Sequence, residues 1–206
     1  MKLTVIGGTS GTGARLVQLA VAAGHDVTIV SRRSPETPSP GVSHRPGDAG
    51  DRRVADAAVA GADAVVVTVG GASGREDNRT RVTRTVVDAM RAAGVRRLVV
   101  QSSLGAGDSM ALMPVPARVF ARTALGKALA DHEGQERAVR SSGLDWTVVR
   151  PGGLVDGGVS GVVVAQETAE RRPMKSRISR AELGAYILAI LEDPATYGKE
   201  MALGTA

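Results

Sequence analysis

Lys2-Leu3-Thr4-Val5-Ile6-Gly7-Gly8-Thr9-Ser10-Gly11-Thr12-Gly13 opens the chain, and its reading decides the fold. An apolar run of strand length meets a glycine cluster. The chain then enters a segment where Leu16, Leu19, Ala20 and Ala23 recur at helical spacing, and Gly24 stops it. A glycine motif gains meaning from this strand-to-helix setting. Three physical demands put glycine there: a tight turn, close approach of backbone to a pyrophosphate, and close packing of helix on strand. Unpaired N–H groups at the helix start, at the positive end of its dipole, then favour an anion. Gly7, Gly8, Thr9, Ser10, Gly11, Thr12 and Gly13 are therefore expected to hold the pyrophosphate of a dinucleotide.

Working outward, apolar runs alternate with helical-period segments. Val27 to Val30 reads as a second strand, Pro35, Pro38, Pro40 and Gly41 as a loop, and Val42 to Arg45 as a short third strand. A weak helix follows around Arg53 to Ala60, then a buried strand from Ala64 to Val69. Val82, Val86, Ala89, Met90 and Ala93 mark one helix face, closed by Gly94. Leu98 to Val100 is a fifth strand and Trp146 to Val149 a sixth, with a helix from Leu125 to Ser141 between them that Gly126 and Gly134 weaken. Leu183, Ile187, Ile190 and Leu191 form the face of a last long helix, and Met201 to Leu203 a terminal strand. This alternation predicts βαβ units and a Rossmann-type, doubly wound parallel sheet flanked by helices in three layers. No repeat or linker divides the 206 residues, so one domain is expected, with a small substrate-side region from about 151 to 206. Leu104 to Thr123 shows no clear period. It reads either as a lid over a ligand or as a loop packed on the core.

Composition agrees with this architecture. Aromatic residues are only 2%, so Val, Leu, Ile and Ala must build the core, which suits a parallel sheet buried on both faces. With no cysteine, disulfides, thiol nucleophiles and Cys-ligated zinc are excluded, and no metal site is expected. No apolar run reaches the roughly 20 residues of a membrane span, and the first residues read as a strand rather than a signal peptide. The chain thus reads as cytoplasmic, with no membrane partner. Its net charge of +5 brings no Lys/Arg block, zinc-finger spacing or aromatic RNA-binding motif, so no nucleic-acid partner is expected.

After the second strand, NAD-binding proteins place an acid that bonds the ribose 2′-hydroxyl. Ser31-Arg32-Arg33 stands there instead. A guanidinium fork matches a phosphate, so Arg32, with Arg33 beside it, points to NADP(H) over NAD(H). Asp48 and Ala49 follow the third strand, where a carboxylate can accept from an adenine amino group. Thr68, Val69, Gly70 and Gly71 end the fourth, where backbone can pass close to ribose and pyrophosphate. Plain turn chemistry would use the same residues.

These motifs, with Ala60 to Val65, Ser102-Ser103, Ser142 to Leu154 and Ile178 to Leu183, resemble the atypical short-chain dehydrogenases/reductases. Within them the chain is most similar to the NAD(P)H-binding, NmrA-like group that includes the biliverdin reductase B and flavin reductase branch. The resemblance implies that Gly7 to Gly13 bind pyrophosphate, that Arg32 meets the 2′-phosphate, that Asp48 lies by adenine and Gly70-Gly71 beside the cofactor. Pro151, Gly152, Gly153 and Leu154 would line its nicotinamide end, and Ser102, at the end of the fifth strand, is counted among the cofactor-binding residues. Two departures stand out. Ser10 replaces the middle glycine of the group's G-x-x-G-x-x-G, leaving Gly7-xxx-Gly11-x-Gly13. A Tyr-xxx-Lys catalytic pair is also missing, and Ala128 and His132 fall where it would be.

Hydride chemistry belongs to the cofactor, so the protein has to orient an acceptor, exclude water and supply a proton where one is needed. Ser103 ends the fifth strand, at the edge where α/β ligands bind. It either holds an acceptor or satisfies local backbone. His132 is the histidine placed for acid–base work, with Asp131 and Glu133 positioned to raise its pKa; the other reading is a surface histidine. Neither a zinc cluster nor a G-x-S-x-G elbow is found; Val159-Ser160-Gly161 reads as loop. Two functions follow. One is an NADP(H)-dependent oxidoreductase passing hydride to a small planar, flavin- or quinone-like acceptor, as a monomer or small homo-oligomer. The other is a non-catalytic, NmrA-like dinucleotide-sensing regulator.

Overall fold

The computed structural model describes residues 1–33, 40–71, 75–157, 162–170 and 177–205. Pro35, Pro38 and Val159-Ser160-Gly161, all read as loop, lie outside the described residues. In chain order the elements are β1 (Lys2–Ile6), α1 (Gly11–Ala22), β2 (Asp26–Ser31), β3 (Val42–Pro46), α2 (Arg52–Val59), β4 (Ala64–Val67), α3 (Asn78–Ala93), β5 (Arg97–Gln101), α4 (Val115–Ala124), α5 (Gly126–Arg140), β6 (Asp145–Pro151), β7 (Gly153–Val155), β8 (Val163–Glu167), β9 (Arg177–Ser179), α6 (Arg180–Ala189) and β10 (Lys199–Thr205). Eight strands form one sheet in the order β3-β2-β1-β4-β5-β6-β10-β8. All pair in parallel except β8, which runs antiparallel to β10, and β7 and β9 form a separate parallel pair. This is the expected doubly wound, Rossmann-type arrangement. Among the described residues no helix is long and apolar enough to cross a membrane.

The period of two along each strand sorts the core into two halves. Ile6, Val30, Val65, Val67, Leu98, Val100 and Val148 face one side, where α2, α3 and α5 supply Ala55, Val59, Val82, Val86, Met90 and Val139. Leu3, Val5, Val27, Ile29, Val66, Val99 and Val149 face the other, against Leu16, Val17 and Ala20 of α1 and Leu183 and Ile187 of α6. Because both faces are covered, β4 is buried at every residue and reads as a continuous apolar run.

Several expectations need correction. Leu19 is 37% exposed and Ala23 is exposed, because the buried stripe of α1 runs through Gly13, Leu16, Val17 and Ala20; Ala93, the last residue of α3, is exposed past the buried Ala89 and Met90. Leu104 to Thr123 is not one irregular loop. It holds a short 3₁₀ turn, Gly107–Leu112, and then α4. Ala106, Ala121 and Leu129, with Met110 and Met113, make a small core under that segment, while Val115, Val119 and Phe120 remain exposed. The strands β7, β8 and β9 were not foreseen; three to five residues are too few to display a period. Residues after Pro151 therefore divide between completing the main sheet through β10 and β8 and forming the β7–β9 pair. Gly134, which costs α5 helix propensity, is needed by packing: a Cβ there would lie 2.3 Å from Thr80 Oγ1.

Candidate cofactor and acceptor site

Strand order reverses between β1 and β4, and in open α/β sheets ligands settle in the crevice at that point, beyond the carboxyl ends of the strands. A groove of about 380 Å³ lies there. Gly7, Thr9 and Ser10 line it from the β1–α1 turn, Arg32 and Arg33 from the end of β2, Asp48 and Ala49 after β3, and Thr68, Val69, Gly70 and Gly71 after β4. Four segments distant in sequence thus bring most of the expected cofactor residues to one place. Of the remaining turn residues, Gly8, Thr12 and Gly13 are buried and Gly11 is exposed at the start of α1.

The turn is built by sterics. Gly7 has φ +91° and Gly11 φ +57°, both in the region that glycine occupies without strain. At Gly13 a Cβ would lie 2.4 Å from the Gly7 carbonyl oxygen and 2.5 Å from Thr68 Oγ1, so this is the position that permits close packing of helix on strand. Ser10, in place of the group's middle glycine, is the N-cap of α1 and makes no side-chain cap bond, and no acidic residue occupies the first turn. Among the described residues, the first backbone N–H there with a partner is Ala14, which donates to the Ser10 carbonyl. Thr12 Oγ1 is buried in the same turn with no hydrogen-bond partner among the described residues. Unpaired N–H groups, an orphaned hydroxyl and no carboxylate fit a dinucleotide's phosphates.

At the end of β2 the exposed Arg32 and Arg33 are carried on a turn held by Ser31. The Ser31 hydroxyl donates to the Arg33 carbonyl and lies 3.0 Å from His44 Nε2. Asp48 is half exposed at the groove. Burial raises its pKa, but the Gly50 N–H at 2.9 Å and the Arg81 guanidinium at 2.7 Å more than offset that, leaving a carboxylate below its ordinary range. Sequence reasoning missed Asn78. Its side-chain amide donates to the Gly70 carbonyl at 2.9 Å, fixing the β4 loop to the start of α3. The one available signal was a short polar residue opening an amphipathic helix.

The acceptor side differs more from expectation. Ser103 is half-buried, and its hydroxyl donates to the Leu104 carbonyl at 3.2 Å, a local backbone partner. Ser102 is 2% exposed, and its hydroxyl donates to Glu136 Oε1 at 2.6 Å. Ser102 is not among the residues that line the groove. His132 is also not on the surface, with only 8% exposure and Nδ1 3.4 Å from Ser102 Oγ. Burial, and after it the Arg79 charge, lower its pKa to about 4 against the opposing pull of Gln135, Glu136 and Asp131. Asp131 pulls the pKa upward as expected, but burial and the Arg79 charge outweigh it, and Glu133 is not among the groups that act on it. Asp131 is occupied elsewhere, accepting from the Arg79 and Thr80 N–H groups at 3.0 and 2.9 Å and so capping α3 from α5. A neutral imidazole near pH 7 is a hydrogen-bonding support and a poor acid.

Beneath these residues Arg150, fully buried, makes a two-point pair with Glu136, Nε–Oε1 2.9 Å and Nη2–Oε2 2.7 Å, and reaches Asp108 at 2.7 Å. Burial works against the Arg150 charge, and the Glu136 carboxylate more than compensates. Pro151 ends β6. Gly152 donates to the Leu203 carbonyl at 2.9 Å, and Gly153 and Leu154 belong to β7. These residues follow the carboxyl end of β6, outside the lining of the groove.

The sequence profile of the NAD(P)H-binding family matches residues 7–194. Among solved structures, ChuY of Escherichia coli O157:H7, described as an anaerobilin reductase, superposes with TM-score 0.85 at 29% identity, covering 100% of this chain and 97% of that one. A short-chain dehydrogenase/reductase of Veillonella parvula in complex with NADP gives TM-score 0.84 at 17% identity over 98% and 94% of the two chains, a likeness of fold. Sterol demethylase protein B of Methylococcus capsulatus is 31% identical over 175 residues, 75% of this chain and 52% of that protein. The chain spans 46, 52 and 63% of the length of three curated relatives it matches.

Proposed function

The chain belongs to the NAD(P)H-binding family, and from that premise we propose that it is an NADPH-dependent reductase that passes hydride to a small planar acceptor. The observation that carries this reading is the groove that joins the Gly7–Gly13 turn to Arg32 and Arg33 with no acid at the end of β2. The α1 N-terminus and Thr12 hold the pyrophosphate, and Arg32, seconded by Arg33, holds the 2′-phosphate. Asp48 keeps lone pairs free for the adenine amino group. Thr68 to Gly71, tied down by Asn78, bring backbone against the ribose.

The bound dinucleotide supplies the hydride. Ser103, which has only a weak local partner, turns to hold the acceptor. Ser102, His132, Glu136 and Arg150 keep the floor beneath it rigid, and the neutral His132 passes no proton near pH 7. Solvent therefore supplies the proton, which suits flavins, quinones and, from the likeness to the anaerobilin reductase, bilin-type acceptors, whose reduced forms protonate readily in water.

The test is NADPH oxidation by the purified chain with FMN, riboflavin, a simple quinone and a bilin, repeated with Ser103→Ala. Turnover that falls severalfold in the variant, with NADPH affinity unchanged, supports the reading. Tight NADPH binding with no turnover on any acceptor would overturn the enzyme reading in favour of a dinucleotide-sensing regulator.

A further inference from the structure

We propose that Arg180, from the C-terminal region, is a pyrophosphate contact of the bound dinucleotide, and that Asp156 holds its guanidinium in reserve when no cofactor is present. The proposal rests on the cofactor reading above and extends it to a segment that neither the glycine motif nor the groove lining includes.

Arg180 is placed for this role. A Cβ on Gly11 would meet Arg180 Nε at 3.8 Å and Cδ at 3.9 Å, and among the described residues no other atom beyond the start of α1 lies so near. The guanidinium stem therefore lies over the first residue of α1, where the unpaired N–H groups gather. That placement is rigid. Ser179 and Glu182 form a capping box, the Ser179 hydroxyl accepting from Glu182 N at 3.1 Å and the Glu182 carboxylate from Ser179 N at 2.9 Å, which fixes Arg180 as the first residue of α6. Gly184 lets α6 press on α1, since a Cβ there would stand 3.1 Å from Leu16 N.

The chemistry of the turn agrees. Thr12 Oγ1 is buried in the same turn without a partner among the described residues, an independent sign that an acceptor belongs there. Arg180 is mostly covered, with 27% of its side chain exposed, yet its partner Asp156 is 78% exposed. The contact, Nη1–Oδ1 2.9 Å, is thus a solvated carboxylate on a sheltered guanidinium. Nε, the nitrogen nearest Gly11, has no part in it. A diphosphate carries more charge than one carboxylate and presents oxygens to both a guanidinium fork and the helix N–H groups. Parallel pairing of Val155 with Ser179 keeps Asp156 next to Arg180, so the carboxylate competes with the cofactor for one cation.

The experiment is a fluorescence titration of the purified chain with NADPH and NADH, and a competition with 2′-AMP, which carries the 2′-phosphate but no pyrophosphate. Arg180→Gln is expected to weaken both dinucleotides by the same factor, about tenfold or more, the worth of one charge-assisted hydrogen bond. Its 2′-AMP affinity and its melting temperature without ligand should stay as in the unaltered chain. Asp156→Asn should tighten both dinucleotides severalfold. Unchanged NADPH and NADH affinities in Arg180→Gln would overturn the proposal, and so would an equal loss of 2′-AMP. Failure of the unaltered chain to bind either dinucleotide would instead remove the cofactor reading on which it rests.

Discussion

Shifting the pH from 7 to 5 tests whether His132 is the neutral, buried support that its surroundings imply. Its folded pKa is about 4, lowered from 6.5 first by burial and then by Arg79. Between those two values the unfolded chain binds a proton that the folded chain refuses, so stability falls as the pH is lowered through this window. With 6.5 for the unfolded and about 4 for the folded state, the loss from this one residue is about 2 kcal/mol between pH 7 and pH 5. For a chain of this size that corresponds to a fall in melting temperature of roughly 4–8 °C. Asp48 and Asp131 are depressed carboxylates, so their stabilisation is lost only as the pH drops below their ordinary value of 3.8, outside the window. The assay is urea unfolding at pH 5 and pH 7 for the protein and for His132→Gln, an amide that still reaches Ser102 and cannot titrate. The protein should lose about 2 kcal/mol more than the variant does across the interval. Equal losses, or an imidazole that titrates near 6.5 in the folded protein by NMR, would refute the reasoning and restore His132 as a proton donor for the reaction.

The other predictions concern cofactor and scaffold. Arg32→Asp should weaken NADPH roughly 10- to 100-fold while sparing NADH, measured by titration, since one charged hydrogen bond to phosphate is lost. Gly13→Ala would set a methyl 2.4 Å from the Gly7 carbonyl oxygen, so it should lower the melting temperature and raise the Kd for NADPH at least tenfold together. Glu136→Gln strands the buried Arg150 charge, although Asp108 and Glu200 at 2.7 and 3.0 Å still hold it. The cost should therefore fall near the low end for broken buried pairs, about 3 kcal/mol, read by thermal melting as a drop of roughly 6–12 °C.

What the sequence disclosed and what it hid follow one physical division. Patterns that act within a few residues were legible. Ile6 to Gly13 carries its own strand, turn and helix start, and Arg32 and Arg33, read as lying at the end of the second strand, do line the groove there. The run from Ala64 to Val69 could be placed because both sheet faces are covered, although its strand stops at Val67. Contacts between segments were hidden. Nothing near His132 in the sequence announces Arg79, which lies 53 positions earlier and enters only because Asp131 caps α3 from another helix. The same holds for Ser102, which looks like a free hydroxyl beside Ser103 until Glu136, on α5, accepts its hydrogen bond. Arg180 is the fullest case. In sequence it is the residue after a capping serine, and in the fold it stands over the first turn of α1, 169 positions from Gly11. Local motifs thus point to the groove at the β1–α1 turn, while the side chains packed around it come from helices whose own sequences describe only how they start and what they bury.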